Sequence, residues 1–305
     1  MAAVAAPPQP SPPLTYGPRG RSPWLDVDWR AHQRWVHVAG TPLNVIELGA
    51  GPPVLFVHGL LGSWPNWVEQ LPVFARSHRV IACDLPGFGH SPLPPGGISI
   101  EGYAETLAAL LAALGVDTAT VVGHSTGGLV AAELTLRHSR LVKRLALVSA
   151  VGISTFHNPR NAPALALLRR SRRIPLYLRW IAAHADELSS RPGLRKRFFD
   201  GLTSHPDQLP PPYVAEQLRG AGAPGLLGAF TALDGADLGP RLAQIACPTL
   251  IVWGARDAII TSRDAQRFHE LLGGSRVVVY EDTGHIPQLE RPDAFNALLG
   301  EFLSE

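Results

Sequence analysis

Residues 120–128 read Thr120-Val121-Val122-Gly123-His124-Ser125-Thr126-Gly127-Gly128, and the reading of the fold turns on them. Thr120–Gly123 is a short apolar run closed by glycine, which predicts a buried strand. Gly127–His138 carries apolar residues at three- and four-residue spacing, which predicts a helix. G-x-S-x-G between a strand and a helix describes a nucleophile elbow. A serine on so tight a turn is held in a strained backbone, and the positions two residues either side must be small for strand and helix to approach. Gly123 and Gly127 meet that need. The turn also sets Ser125 at the helix N-terminus, where free N–H groups and the positive dipole end favour a developing oxyanion. The backbone N–H of Thr126 is one expected donor.

Outward from the elbow, strand and helix alternate. Trp35–Val38 and Leu43–Leu48 flank Ala39-Gly40-Thr41-Pro42, which predicts an opening hairpin. Val54–Val57, Arg79–Cys83, Arg144–Ser149, Thr249–Trp253 and Arg276–Tyr280 are further short runs of Val, Ile, Leu and Ala bounded by Gly, Pro or Asp. With Thr120–Gly123 they are expected to be buried on both faces of a mostly parallel sheet. Ile100–Leu114, Ser262–Leu272 and Pro292–Leu303 carry helical periodicity. The fold class is therefore α/β, with residues 24–154 and 241–305 as the core.

The alternation lapses over 155–240, where Pro-punctuated helical pieces predict an inserted helical cap. Basic residues concentrate there, Arg169, Arg170, Arg172, Arg173 and Arg179 among them. They read as a solvated outer face, with recognition of an acidic substrate or an anionic surface as the alternative. Residues 1–23 are Ala/Pro-rich, with no basic residue before Arg19, and are read as a flexible tail without a signal peptide.

In the 305-residue chain, 46% hydrophobic and 17% charged residues suffice for a large core, and a net charge of +2 gives no reason to expect nucleic acid. No apolar stretch approaches membrane-spanning length. Cys83 and Cys247 lack metal-site spacing and read as buried free thiols, so a cytoplasmic location, no metal and no cofactor are expected.

A serine hydroxyl is a poor nucleophile until a base takes its proton and a third group fixes the base's tautomer. Asp257 follows the strand Thr249–Trp253 in Gly254-Ala255-Arg256-Asp257, and among 12 histidines only His285 lies just beyond the final strand. Asp282 is too near His285 in sequence to orient it easily, and Asp264 falls within a helix. Catalysis is accordingly assigned to Ser125, Asp257 and His285. His58-Gly59-Leu60 leaves the C-terminal end of a strand, so the Leu60 N–H is the second expected oxyanion donor and His58 a brace for the loop. Trp64, Trp67, Phe88, Phe156 and Trp180 are candidates to line an apolar pocket, and His124 packs or lines it.

With these motifs in order, the chain resembles the capped α/β-hydrolases of the esterase and meta-cleavage-product hydrolase group. The resemblance covers about Trp35 to Phe302 and adds Asp84-Leu85-Pro86-Gly87-Phe88-Gly89-His90-Ser91 and Gly284-His285 to the elbow. It implies the α/β-hydrolase fold, an eight-stranded sheet with a cap after the sixth strand, and hydrolysis of a small-molecule carboxylic ester through an acyl-enzyme on Ser125. Two alternatives stand beside it. One is carbon–carbon bond hydrolysis of a vinylogous diketone, its carboxylate held by Arg172, Arg173 or Arg179; the other is a small-molecule receptor with a vestigial triad.

Overall fold

A computed structural model describes residues 15–154 and 174–305. Eight strands form one sheet: β1 (Gln33–Val38), β2 (Thr41–Leu48), β3 (Pro53–Val57), β4 (Arg79–Cys83), β5 (Ala119–His124), β6 (Val142–Val148), β7 (Thr249–Gly254) and β8 (Arg276–Tyr280). Their spatial order is β1-β2-β4-β3-β5-β6-β7-β8. β1 and β2 form the antiparallel hairpin, β2 pairs antiparallel with β4, and every later pairing is parallel.

Side chains alternate across a strand, and the core divides accordingly. Leu55 and Val57 of β3 join one apolar cluster with Val121, Leu147, Trp253 and Phe268. Val54 and Phe56 join another on the opposite face with Trp67, Phe74, Phe295 and Phe302. Two helices, α1 (Ile100–Ala113) and α2 (Thr126–Arg137), cover the first face. Not every strand is buried on both faces as expected. β8 exposes Arg276, and Val279 is 37% exposed, because β8 is the sheet edge and has one strand neighbour.

Between β6 and β7 the described chain is helical: α3 (Ile174–Ala183), α4 (Ala185–Ser190), α5 (Pro192–Phe199), α6 (Pro211–Gly220) and α7 (Leu226–Ala232). α3, α4, α5 and α6 share a third apolar cluster, with Ile181, Leu188, Phe199, Val214 and Leu218 packed against Val68, Ile286 and Leu289 of the sheet-bearing part. After β7 come α8 (Arg263–Leu271) and, at the C-terminus, α9 (Pro292–Ser304). Among the described residues no helix is long and apolar enough to cross a membrane.

Parallel register brings the functional loops to one level. Val57 pairs with Gly123, His124 with Val148, Val148 with Val252, and Gly254 with Tyr280. The loops after β3, β5, β7 and β8 therefore leave the same C-terminal edge, where open parallel sheets bind ligands.

Candidate active site

Ser125 sits at the N-cap of α2 with φ 54° and ψ −120°, a left-handed backbone that a residue with a Cβ adopts at a cost of about 1–3 kcal/mol. Its N–H is held by the Val148 carbonyl at 2.9 Å, and its own carbonyl accepts from Gly128 at 2.9 Å and Val151 at 3.1 Å. Gly127 packs so close to β3 that a Cβ there would collide with the carbonyl oxygens of Val57 and His58. That contact is the physical reason for a glycine two positions after Ser125.

His285 Nε2 lies 2.9 Å from Ser125 Oγ, and His285 Nδ1 lies 2.8 Å from Asp257 Oδ2. All three residues are buried. The carboxylate accepts at Nδ1, so the proton resides there, and Nε2 is left as the acceptor for the serine hydroxyl. Asp257 Oδ1 is occupied by the amides of Ile259 and Ile260, each at 2.9 Å, which fix the carboxylate's orientation. Asp282 makes no such contact. Its carboxylate pairs with His205 at 2.9 Å and with Arg256 at 2.6 Å, which lower its pKa. Asp264 is buried at the start of α8, where it accepts from the Ser154 amide and hydroxyl.

Leu60 and Thr126 both border the cavity beside Ser125, and among the described residues neither amide has a partner. His58 braces the loop that carries Leu60. The Leu85 amide donates to its Nε2 at 2.9 Å, so Nδ1 carries the proton and donates to the Gly59 carbonyl at 2.8 Å. Burial keeps the imidazole neutral against the opposing charge of Asp84. His124 is turned from the nucleophile: its Nε2 donates to the His285 carbonyl at 2.9 Å. Burial first, then the neighbouring His285, pushes its pKa down to about 3, so it stays neutral and Nδ1 bears no proton.

The cavity above Ser125 measures about 340 Å³. Its walls include Leu178, Leu226 and Phe230 from the inserted helices, Leu202 from the turn after α5, and Val151 and Ile259 from the sheet side; Asn66 and Gln217 are its polar residues away from Ser125, Thr126, His124 and His285. Among the described lining residues only His124 and His285 are ionisable.

The aromatic candidates require correction. Trp67 is fully buried beneath the sheet against Phe56, with ring centroids 5.1 Å apart, because its helical turn faces the opposite side of β3. Phe88 packs on His58 inside the other cluster, at 5.6 Å. Trp64 packs against Trp29, tilted with ring centroids 4.8 Å apart, in a separate surface cleft, and Trp180 is 48% exposed on α3 between Tyr177 and His184. None of these four borders the cavity, whereas His124 does. Phe156 lies outside the described residues, as do Arg172 and Arg173.

This arrangement, on this sheet order, defines a class. A family model of the alpha/beta hydrolase fold matches residues 52–292, and the chain belongs to that family, a hydrolase of the α/β-hydrolase type. Particular relatives follow. The chain is 32% identical over 282 residues to the dihydrolipoyllysine-residue acetyltransferase component of the acetoin cleaving system of Cupriavidus necator, covering 91% of this chain and 71% of that protein. It is 30% identical over 288 residues to a 2-hydroxy-6-oxo-2,4-heptadienoate hydrolase of Pseudomonas putida, covering 89% and 96%. Among solved structures, Est816, an N-acyl homoserine lactone degrading enzyme, superposes with a TM-score of 0.73 at 28% identity, covering 88% of this chain and 100% of that one.

Proposed function

We propose that the protein is a serine hydrolase of neutral, largely apolar carboxylic esters. The observation that carries this reading is the continuous hydrogen-bonded chain from Asp257 through His285 to Ser125, opening into a cavity whose described lining holds no Arg, Lys, Asp or Glu. His285 takes the Ser125 proton as Oγ attacks the ester carbonyl, and the amides of Leu60 and Thr126 receive the oxyanion. Collapse of the tetrahedral intermediate passes that proton from His285 to the departing alcohol. Water then attacks the acyl-enzyme with His285 again as base, releasing the acid and restoring Ser125. In this reading the inserted helices form a cap whose leucines enclose the acyl group. A cavity near 340 Å³ stands at the small end of the range for organic ligands, which favours short to medium acyl chains.

Steady-state hydrolysis of p-nitrophenyl esters from acetate to decanoate tests this, with Ser125→Ala as comparison. The expected result is turnover by the native chain and a loss of up to ~10⁶ in kcat for the variant. Turnover retained by Ser125→Ala sinks the assignment.

Carbon–carbon hydrolysis is the second reading, supported by the resemblance to the Pseudomonas putida heptadienoate hydrolase along nearly its whole length. Its substrate carries a carboxylate, and the described cavity wall offers no arginine or lysine to receive one. Turnover of a vinylogous 2-hydroxy-6-oxo acid exceeding that of every neutral ester reverses the preference.

A further inference from the structure

The loop that carries His285 is not held by regular secondary structure. A buried carboxylate binds the backbone on either side of the base. Glu290 ends the one-turn helix Pro287–Glu290 and is fully buried. The Gly284 amide lies 3.0 Å from each of its oxygens, and the Ile286 amide donates to Oε1 at 3.2 Å. Its Oε2 also accepts from the Ser204 amide at 2.8 Å and the Tyr16 hydroxyl at 3.2 Å. Between the two amides that Glu290 holds, the His285 amide donates to the Leu202 carbonyl at 2.8 Å. Leu202 and Ser204 belong to the inserted segment, Tyr16 to the N-terminal segment. Three parts of the chain distant in sequence thus converge on the backbone either side of the base.

We propose that Glu290 is a positioning residue: its carboxylate fastens the His285 loop to the inserted segment Leu202–Ser204 and so sets the reach of His285 Nε2 to Ser125. The proposal rests on the reading of Ser125, His285 and Asp257 as the catalytic triad. A leucine would fill the same volume without the cost of burying a carboxylate. What it would not supply is an acceptor for two amides of the His285 loop and for the anchor that the inserted segment provides. Each oxygen is approached by donors. A carboxamide, with one oxygen and one NH₂, therefore sets its NH₂ against at least one of them. The misfit falls on Gly284 and Ile286, next to the base, or on Ser204, next to the carbonyl that holds the His285 amide. Tyr16 is the outer arm of the same contact. Its removal loosens Glu290 without touching the loop.

Glu290→Gln and Tyr16→Phe test this in the full-length chain, with native protein and Ser125→Ala as references. Three readouts are taken: kcat and KM on the best p-nitrophenyl ester, the rate of covalent labelling of Ser125 by a fluorophosphonate, and the far-downfield proton resonance of the His285 Nδ1–Asp257 hydrogen bond. Glu290→Gln is expected to lower kcat and the labelling rate together by about 10- to 100-fold with KM within about twofold, as misplacement of a reacting group does. The downfield resonance should broaden or vanish. Tyr16→Phe should shift all three readouts the same way, by about two- to fivefold in rate.

A Glu290→Gln enzyme with kcat and labelling rate within about twofold of native overturns the proposal. So does a loss of activity that disappears once rates are normalised to titrated active sites, since that is a loss of folded protein. If Glu290→Gln does not fold, Tyr16→Phe decides alone, and native rates with a native resonance refute the idea. If the native chain itself neither hydrolyses esters nor takes the label, the esterase reading fails instead, and the downfield resonance alone still decides whether Glu290 sets the His285 geometry.

Discussion

At the scale of single residues, the site depends on atoms that leave no alternative geometry. Asp257 holds the proton on His285 Nδ1, so Asp257→Asn reverses the favoured tautomer while keeping the shape. The expected outcome is a fall in kcat of about 10⁴ with little change in KM, measured on the same ester series. Gly127→Ala acts differently. Its methyl meets two backbone carbonyls of the loop after β3, which cannot turn aside as a side chain would. Urea unfolding should show a loss of about 1–3 kcal/mol or more, together with impaired activity, since the displaced loop carries the Leu60 amide. The candidate residues visible in the sequence are those whose neighbours are local: Ser125 between two glycines, Asp257 and His285 each a few residues past a strand. Glu290 escaped notice because two of its partners lie far away, Ser204 at a separation of 86 residues and Tyr16 at 274, and the near ones, Gly284 and Ile286, are backbone amides that no side-chain pattern marks. No spacing rule reaches across such distances.

At the scale of elements, the inserted helices and the loop after β3 are fitted to one another. The last residue of α6 is Gly220, and a Cβ there would strike the Leu61 carbonyl in that loop. Gln217 on the same helix donates to Asn66 Oδ1 at 3.3 Å. Gly220→Ala is therefore expected to lift α6 from the loop and disturb both the Leu60 amide and the cavity wall. The measurement is kcat/KM across the ester series. A reduction of about tenfold or more, with urea stability of the core nearly unchanged, is the predicted result, because the contact joins the insertion to the site and lies outside the sheet core. The helical character of this insertion was readable from its periodicity, whereas its contribution to the cavity was not. Leu178, Leu202, Leu226 and Phe230 are ordinary leucines and a phenylalanine in sequence, and their inward direction is set by how α3, the turn after α5 and α7 settle on the sheet. The tryptophans misled for the same reason. Aromatic side chains near a functional loop fill whichever side of the sheet their turn faces, and Trp67 faces the cluster opposite α2.

At the scale of the whole molecule, buried histidines make stability depend on pH. His58 and His124 are both held neutral, with His124 pushed down to about 3. An unfolded chain protonates both below the ordinary histidine pKa of 6.5, whereas in the folded chain burial lowers the pKa of each, that of His124 to about 3. Unfolding then takes up protons, so stability falls as pH drops below 6.5, by up to about 1.4 kcal/mol per pH unit for each histidine. Glu69 and Glu290 act in the opposite sense. Burial raises both above 4.5, so the folded state gains protons first, and their contribution grows as pH falls through the folded pKa toward 4.5. Urea titrations at a series of pH values should show declining stability from pH 6.5 downward, flattening near the carboxyl range. His124→Gln should remove about one proton from the slope.

The sequence by itself determined the α/β class, the strand and helix alternation, the helical break before β7, and the three residues that now lie within hydrogen-bonding distance of one another. Those features rest on chemistry confined to a few consecutive residues: strand periodicity, a glycine-flanked turn, a carboxylate or an imidazole just beyond a strand. Tertiary structure alone decided the exposed edge of β8, the apolar character of the described cavity lining, the burial of Trp67 and Phe88, and the convergence of three distant segments on Glu290. Each of these is a relation between faces brought together by packing, and a face acquires its neighbour only when the sheet has formed and the helices have docked on it.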